Sequence, residues 1–389
     1  MHIHSDQLLQ VEHGPSRTTA GSPAPTTLPP SPSSTTPPLT PLTSNPPPSA
    51  PAKSEALQEL DPVAPTERPQ EAMEPVAPTV HPMTSSSAPP QRSFESRHDT
   101  VAGYDAMIKY LAAYDADHDG SDALYLFFVC SDENHQPYDW NEQCGPARTA
   151  VYDVFAKAPE SNHLLTIYAG TAEYWQAAND FRSDRDVRVK MLPCLMKWEG
   201  HDGETSGMMV GVSLMEPQFL RYLLKSTDEP DPNLSAVALE TKQHRVVAGR
   251  PAFDELMEQY RRGDMDENDV LPPLYVMFVS GRMEGNKRPW CPYCRYTEVP
   301  VDYAFYAFAP LGAHFVRVEV NPSYKAWKQP NEFNRDPALN LRGVPGFYIV
   351  KRVANADQQN ELVYERLYQR FDMMNELRIL FETTTAPQA

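Results

Sequence analysis

The chain repeats itself. Asp122-Ala123-Leu124-Tyr125-Leu126-Phe127-Phe128-Val129 is echoed 150 residues later by Pro273-Leu274-Tyr275-Val276-Met277-Phe278-Val279. Trp140 and Trp290 keep that offset, as do Cys144 and Cys294. Further on the offset grows to 152, pairing Trp175 with Trp327, Phe181 with Phe333 and Pro193 with Pro345. The segment ahead of each first strand also recurs, Tyr104 to Tyr110 against Phe253 to Tyr260. Apolar, aromatic and proline positions that recur in step require two copies of one fold. The copies span 98–227 and 248–384, joined by a linker at 228–247 that Pro230 and Pro232 stiffen locally.

Each copy reads helix, strand, Trp-containing loop, helix, strand, Trp/Phe segment, proline, strand, closing helix. The stretches Leu124–Val129, Leu164–Tyr168, Leu274–Val279 and Phe315–Val320 are apolar runs without strict alternation. Such runs belong in a central sheet covered on both faces. The closing helices are amphipathic, through Phe219, Leu220, Tyr222, Leu223 and Leu224 in one copy and Phe371, Met374, Leu377, Leu380 and Phe381 in the other. Strand–helix–strand order calls for right-handed crossovers. The expected class is α/β, two tandem domains with a central mixed sheet flanked by helices.

The first 97 residues are of another kind. Residues 1–93 contain no Cys, Phe, Tyr or Trp and hold 21 of the 40 prolines. Too little apolar surface is available there to offset the entropy of ordering, so a disordered Pro/Ser/Thr-rich tail is expected over 1–97. Its Pro37-Pro38-Leu39-Thr40-Pro41 and Pro46-Pro47-Pro48 stretches fit a passive spacer, and also the polyproline ligands of SH3 or WW domains.

Between Trp290 and Cys294 runs Trp-Cys-Pro-Tyr-Cys, the only Cys-x-x-Cys in the chain. It follows the strand Leu274–Val279 after a polar loop, and Val344-Pro345-Gly346 lies about fifty residues on. This is the layout of a dithiol redox site. Cys291 takes the N-cap of the next helix, and Pro292 the first helical position, where its missing N–H costs nothing. The helix dipole and unpaired N–H groups then favour the Cys291 thiolate, the form that attacks a disulfide. Cys294, one turn on, resolves the mixed disulfide. Trp290 shields the site, and Tyr293 tunes thiol and substrate fit. A cis bond before Pro345 turns the Val344 backbone toward Cys291, free to pair with an extended substrate. A zinc site needs four ligands; no second cysteine pair exists, and His314 is the only histidine of the second copy. No metal is expected.

These residues resemble the thioredoxin superfamily, and within it the thioredoxin domain-containing protein 17 family, thioredoxin-related reductases of the cytosol. Members of that family look like an aromatic strand, a lengthened loop, Trp-Cys-Pro-Asp-Cys, then Tyr-Trp-x-x-Pro-x-Asn-x-Phe-Arg and Val-Pro. Here the loop is Ser280 to Pro289, and the later segment is Trp327-Lys328-Gln329-Pro330-Asn331-Glu332-Phe333-Asn334 in one copy and Tyr174 to Arg182 in the other. The resemblance covers both copies and omits the tail. It implies a thioredoxin fold, Cys291 and Cys294 as the redox pair, and reduction of small or selected disulfides with electrons from NADPH through a thioredoxin reductase. Tyr293 departs from it, standing where the family has an acidic residue.

The first copy departs further. Trp140-Asn141-Glu142-Gln143-Cys144 has Asn141 in place of the nucleophile. It cannot run a two-cysteine cycle alone and reads as a degenerate domain kept for packing or binding. A Cys144–Cys194 or Cys130–Cys144 pair is conceivable, since those elements converge in this fold, but buried free thiols are the commoner outcome for such cysteines.

Other signals bound the reading. A net charge of −18 argues against nonspecific nucleic-acid binding. No apolar run is long enough to span a membrane. Met1-His2-Ile3-His4 lacks a signal-peptide pattern. Five cysteines, few and odd in number, fit a reducing cytosol. Asp115-Ala116-Asp117-His118-Asp119-Gly120 begins like a calcium loop but has Leu126 where the bidentate Glu belongs. No Gly-rich phosphate loop appears, so NADPH is not bound directly. Two functions remain: a cytosolic protein-disulfide reductase, and a tandem thioredoxin-like scaffold whose redox activity is incidental.

Overall fold

The computed structural model describes residues 93–383, apart from 118–121, 202, 204–206, 227, 267–270 and 355–359. The polyproline stretches of the tail and part of the calcium-like run therefore lie outside the described residues.

The first copy comprises β1 (His98–Ala102), α1 (Gly103–Asp117), β2 (Ala123–Val129), α2 (Cys144–Phe155), β3 (Asn162–Tyr168), α3 (Ala172–Gln176), α4 (Asp180–Ser183), β4 (Cys194–Trp198), β5 (Met208–Val210) and α5 (Pro217–Leu224). The short α6 (Ala236–Thr241) follows. The second copy comprises β6 (Gln243–Ala248), α7 (Gly249–Arg262), β7 (Leu274–Val279), α8 (Pro292–Phe308), β8 (His314–Glu319), α9 (Tyr324–Lys328), β9 (Gly346–Ala354), β10 (Asn360–Leu367) and α10 (Met374–Thr383). The sheet orders are β1-β3-β2-β4-β5 and β10-β9-β7-β8-β6, the same arrangement twice. In each, the first three strands are mutually parallel and the last two antiparallel, so both sheets are mixed. The apolar runs of β2 and β7 occupy the sheet centres, and every residue of β7 is buried.

The edge strands β1 and β6 are absent from the sequence reading. His98-Asp99-Thr100-Val101-Ala102 and Gln243-His244-Arg245-Val246-Val247-Ala248 are half exposed and carry no apolar run. They become strands by pairing in parallel with β3 and β8. Two boundaries are corrected with them. The linker at 228–247 is not bare chain: it holds α6 and most of β6. The buried Lys242 donates from Nζ to the Phe305 and Tyr306 carbonyls at 3.1 and 2.6 Å, closing the C-terminal end of α8. The last residues assigned to the tail also belong to the first domain. Phe94 packs edge-on against Tyr152 and Phe155, and the buried Arg97 donates to the Pro159 carbonyl at 3.0 Å.

The two copies share a core. One face of the first sheet, through Tyr125, Phe127, Val129 and Leu195, joins Phe219 and Leu220 of α5 and then Val299 and Tyr303 of α8 in one continuous apolar cluster. Tyr303 meets Phe219 and Tyr222 edge-on at 5.5 and 5.8 Å. The amphipathic α5 thus closes its own domain and seats α8 of the next. Among the described residues, no helix is long and apolar enough to cross a membrane.

Candidate functional site

Cys291 is the N-cap residue of α8, in extended backbone geometry, with Pro292 at the first helical position. Cys291 is 5 % exposed and Cys294 4 %. The Leu192–Pro193 and Val344–Pro345 bonds are both cis. The Cys291 thiol donates to the Val344 carbonyl across 3.6 Å, so the residue before Pro345 faces the first sulfur. Trp290 is buried and donates from Nε1 to the Asn321 carbonyl at 2.7 Å, which fixes the indole beside the pair. Tyr293 is 46 % exposed and meets Tyr296 edge-on. Tyr324, also exposed, meets Trp290 in the same way, so the mouth of the site has an aromatic rim.

The two thiols have opposite electrostatics. The hydrogen bond from the Cys294 thiol lowers the Cys291 pKa most; the N–H groups of Cys294 and Tyr293 and the Arg188 cation add to it, outweighing burial. Cys294 is pushed well up, first by burial and then by Cys291 itself. Of the two sulfurs, Cys291 is therefore the one that ionises first and Cys294 the one that keeps its proton.

Ser280, at the end of β7, is a site residue that the sequence reading missed. Its Oγ accepts from the Cys291 N–H at 3.1 Å, and its own N–H donates to Cys294 Sγ at 3.3 Å. The signal was available: the 150-residue offset sets Ser280 opposite Cys130.

The first domain shows what that exchange does. Cys130 and Cys144 form a disulfide, with Cα atoms 6.0 Å apart, and both are wholly buried. The expectation of free thiols there is corrected for these two. Cys194 remains free and buried, and burial raises its pKa to about 12. The Cys144–Cys194 pairing is not formed. Asn141, in the nucleophile's position, donates from Nδ2 to the Leu192 carbonyl at 2.8 Å, the contact that Cys291 makes with Val344. The geometry of the site is therefore conserved between the copies while its sulfur chemistry is moved inward.

Helix α8 is also held from across the domain boundary. Arg295, wholly buried, donates to the Val187 carbonyl at 3.2 Å, and the Tyr296 hydroxyl accepts from the Lys190 N–H at 3.0 Å. Arg288, in the loop before Trp290, pairs with Asp186 at 3.2 Å and donates to the His201 and Gly200 carbonyls. On the underside of α8, Arg317 of β8 bridges Glu298 and Asp302 at 2.5 and 2.8 Å. Among the described residues no group of three or more His, Cys, Asp or Glu is placed to hold a metal ion.

A family model for the thioredoxin domain of thioredoxin domain-containing protein 17-like proteins matches the chain twice, over residues 100–224 and 247–371. No curated protein matches the chain. The two matches take in most of both five-stranded sheets, the closing helix α5 and the Cys291–Cys294 site, and leave out most of β6 and the closing helix α10. The chain belongs to the thioredoxin domain-containing protein 17-like family, whose thioredoxin domain it carries in two copies.

Proposed function

We propose that the protein is a thiol–disulfide oxidoreductase that reduces small-molecule or protein disulfides through Cys291 and Cys294. The observation that carries this reading is geometric: Cys291 is the N-cap of α8 with Cys294 one turn on, and the Val344 carbonyl before cis-Pro345 faces the first sulfur. The Cys291 thiolate attacks one sulfur of the substrate, forming a mixed disulfide and releasing the other sulfur as a thiolate that takes a proton from water. With Cys291 now bonded, its charge no longer holds the Cys294 proton, and Cys294 ionises. It attacks Cys291 Sγ, closes the Cys291–Cys294 disulfide and frees the second product thiol. Two electrons pass from the protein to the substrate. The Val344 carbonyl and N–H edge beside Cys291 offers backbone pairing to an extended substrate, and Tyr293 lies open at the mouth.

The oxidised pair is recycled by a thioredoxin reductase that draws on NADPH, so the protein needs no bound cofactor. Family membership and the intact dithiol support this step, and a cytosolic location accords with it. The test is turnover of cystine and of insulin with NADPH and thioredoxin reductase, for the wild type and Cys291→Ser. Turnover lost in the variant is the expected result. Absence of turnover in the wild type would refute the coupled cycle.

A second reading, a tandem thioredoxin-like scaffold, is favoured by the first domain, where Asn141 replaces the nucleophile and Cys144 is tied to Cys130. A scaffold keeps its partners in Cys291→Ser; an enzyme loses its activity. The Pro-rich tail is, in either case, a candidate ligand for SH3- or WW-type domains.

A further inference from the structure

The segment 182–190 of the first domain carries four cations, Arg182, Arg185, Arg188 and Lys190, and three of them border the loop or helix of the redox site. Arg188 Nη1 lies 3.5 Å from Met283 Sδ in the loop that leads to Trp290. Arg185 reaches the same loop: a Cβ at Gly285 would stand 3.2 Å from its Nη1. The backbone of Lys190 is fixed to Tyr296, five residues after Cys291. The acidic residues of the segment are already engaged. Asp184 accepts from the Tyr104 hydroxyl and from the Asp186 and Val187 N–H groups. Asp186 is held by Asn286, Arg288 and His201, and Arg185 Nε stands 3.6 Å from it. Arg188 is half-buried and, among the described residues, pairs with no carboxylate. Its charge also favours the thiolate form of Cys291. A chain of net charge −18 thus sets a cation, Arg188, against the loop that leads to its reactive sulfur.

Resting on the reductase reading above, we propose that the first domain supplies a specificity element to the second: Arg188, backed by Arg182, Arg185 and Lys190, selects disulfides that carry a carboxylate or other anionic group close to the sulfurs. The degenerate domain then contributes a residue to the site instead of a sulfur. An anionic group docked against the guanidinium brings its disulfide to Cys291, and a cationic disulfide is repelled. Over such short range, a charge in a cleft acts on approach by about tenfold or more, and added salt weakens it.

The test uses the full chain, pre-reduced, with three small disulfides of similar length: dithiodipropionate (anionic), hydroxyethyl disulfide (neutral) and cystamine (cationic). Each rate is normalised to that of a free dithiol with the same disulfide, which removes intrinsic reactivity. The wild type is expected to prefer dithiodipropionate over cystamine by about tenfold, with the preference fading in high salt. Arg188→Glu inverts the order, and Arg188→Lys keeps it. An unchanged order in Arg188→Glu, or an equal slowing of all three reactions, overturns the proposal, because a purely structural or thiolate effect does not sort substrates by charge. A wild type that reduces all three equally overturns it while leaving the reductase reading intact. A wild type that reduces none overturns both.

Discussion

At the scale of single residues, two exchanges, Ser280 for Cys130 and Cys291 for Asn141, separate the Cys291–Cys294 site from a buried cross-link. Ser280 holds Cys291 and Cys294 through its hydroxyl and N–H; Cys130, in the equivalent place, bonds to Cys144 directly. Ser280→Cys should therefore divert Cys294 into the pairing seen in the first domain. Disulfide mapping of the oxidised variant is expected to show residue 280 bound to Cys294 and Cys291 free to alkylate. A retained Cys291–Cys294 bond would count against the equivalence. The opposed shifts of the two thiols give a pH dependence of a definite sign. Cys291, lowered, loses reactivity toward iodoacetamide only as pH falls through its depressed pKa, below the ordinary thiol value of about 8.5. Cys294, raised, gains reactivity only well above that value. Mass spectrometry of alkylation against pH reads both; equal titration of the two sulfurs would contradict the assignment. Cys291, Cys294 and Pro345 were legible in the sequence because their chemistry is tied to residue type. Ser280 carries no signal of its own as a serine at a strand end; only its place opposite Cys130 in the repeat points to it, and the fold then sets its N–H and Oγ against two sulfurs.

At the scale of elements, the start of α8 and the loop before it are fastened to residues 186–190 by Arg288, Arg295 and Tyr296. Arg288 is wholly buried, and the Asp186 side chain is 13 % exposed. Burial alone would raise the Asp186 carboxyl, but hydrogen bonds from His201 and Asn286 and the Arg288 charge outweigh it and hold the pKa below its usual value. Removing one partner of such a pair leaves the other buried without its counter-charge. Asp186→Ala is expected to cost about 3 kcal/mol in urea unfolding. Because the folded pKa is depressed, the wild-type contribution is present above the unfolded value of about 3.9 and is lost as pH falls through the lower folded one. The variant should lack that part of the acid dependence; an unchanged midpoint would show that the contact is dispensable. The central strands and both closing helices were legible from apolar patterning. The edge strands β1 and β6 were not, because their strand character comes from pairing with β3 and β8 and not from their own half-exposed side chains.

At the scale of the molecule, the repeat announced two domains, but their docking was hidden. The apolar residues that join α5 to α8 look, in sequence, like ordinary core positions of separate domains. Their shared burial predicts that the second domain does not stand alone. Residues 243–383 expressed by themselves should unfold at lower urea than residues 93–383, since Val299 and Tyr303 lose their cover. Equal midpoints would show that the shared core adds nothing. The tandem is then one unit in which the first domain has given up its nucleophile while fastening and flanking the second domain's site.

The account stands on Cys291 as the attacking sulfur and Cys294 as the resolving one. Its most direct test is to mix reduced Cys294→Ser protein with a disulfide substrate and map the trapped adduct by mass spectrometry. A mixed disulfide on Cys291, absent from Cys291→Ser, is the predicted result. No adduct, or one on Cys130, Cys144 or Cys194, would contradict it.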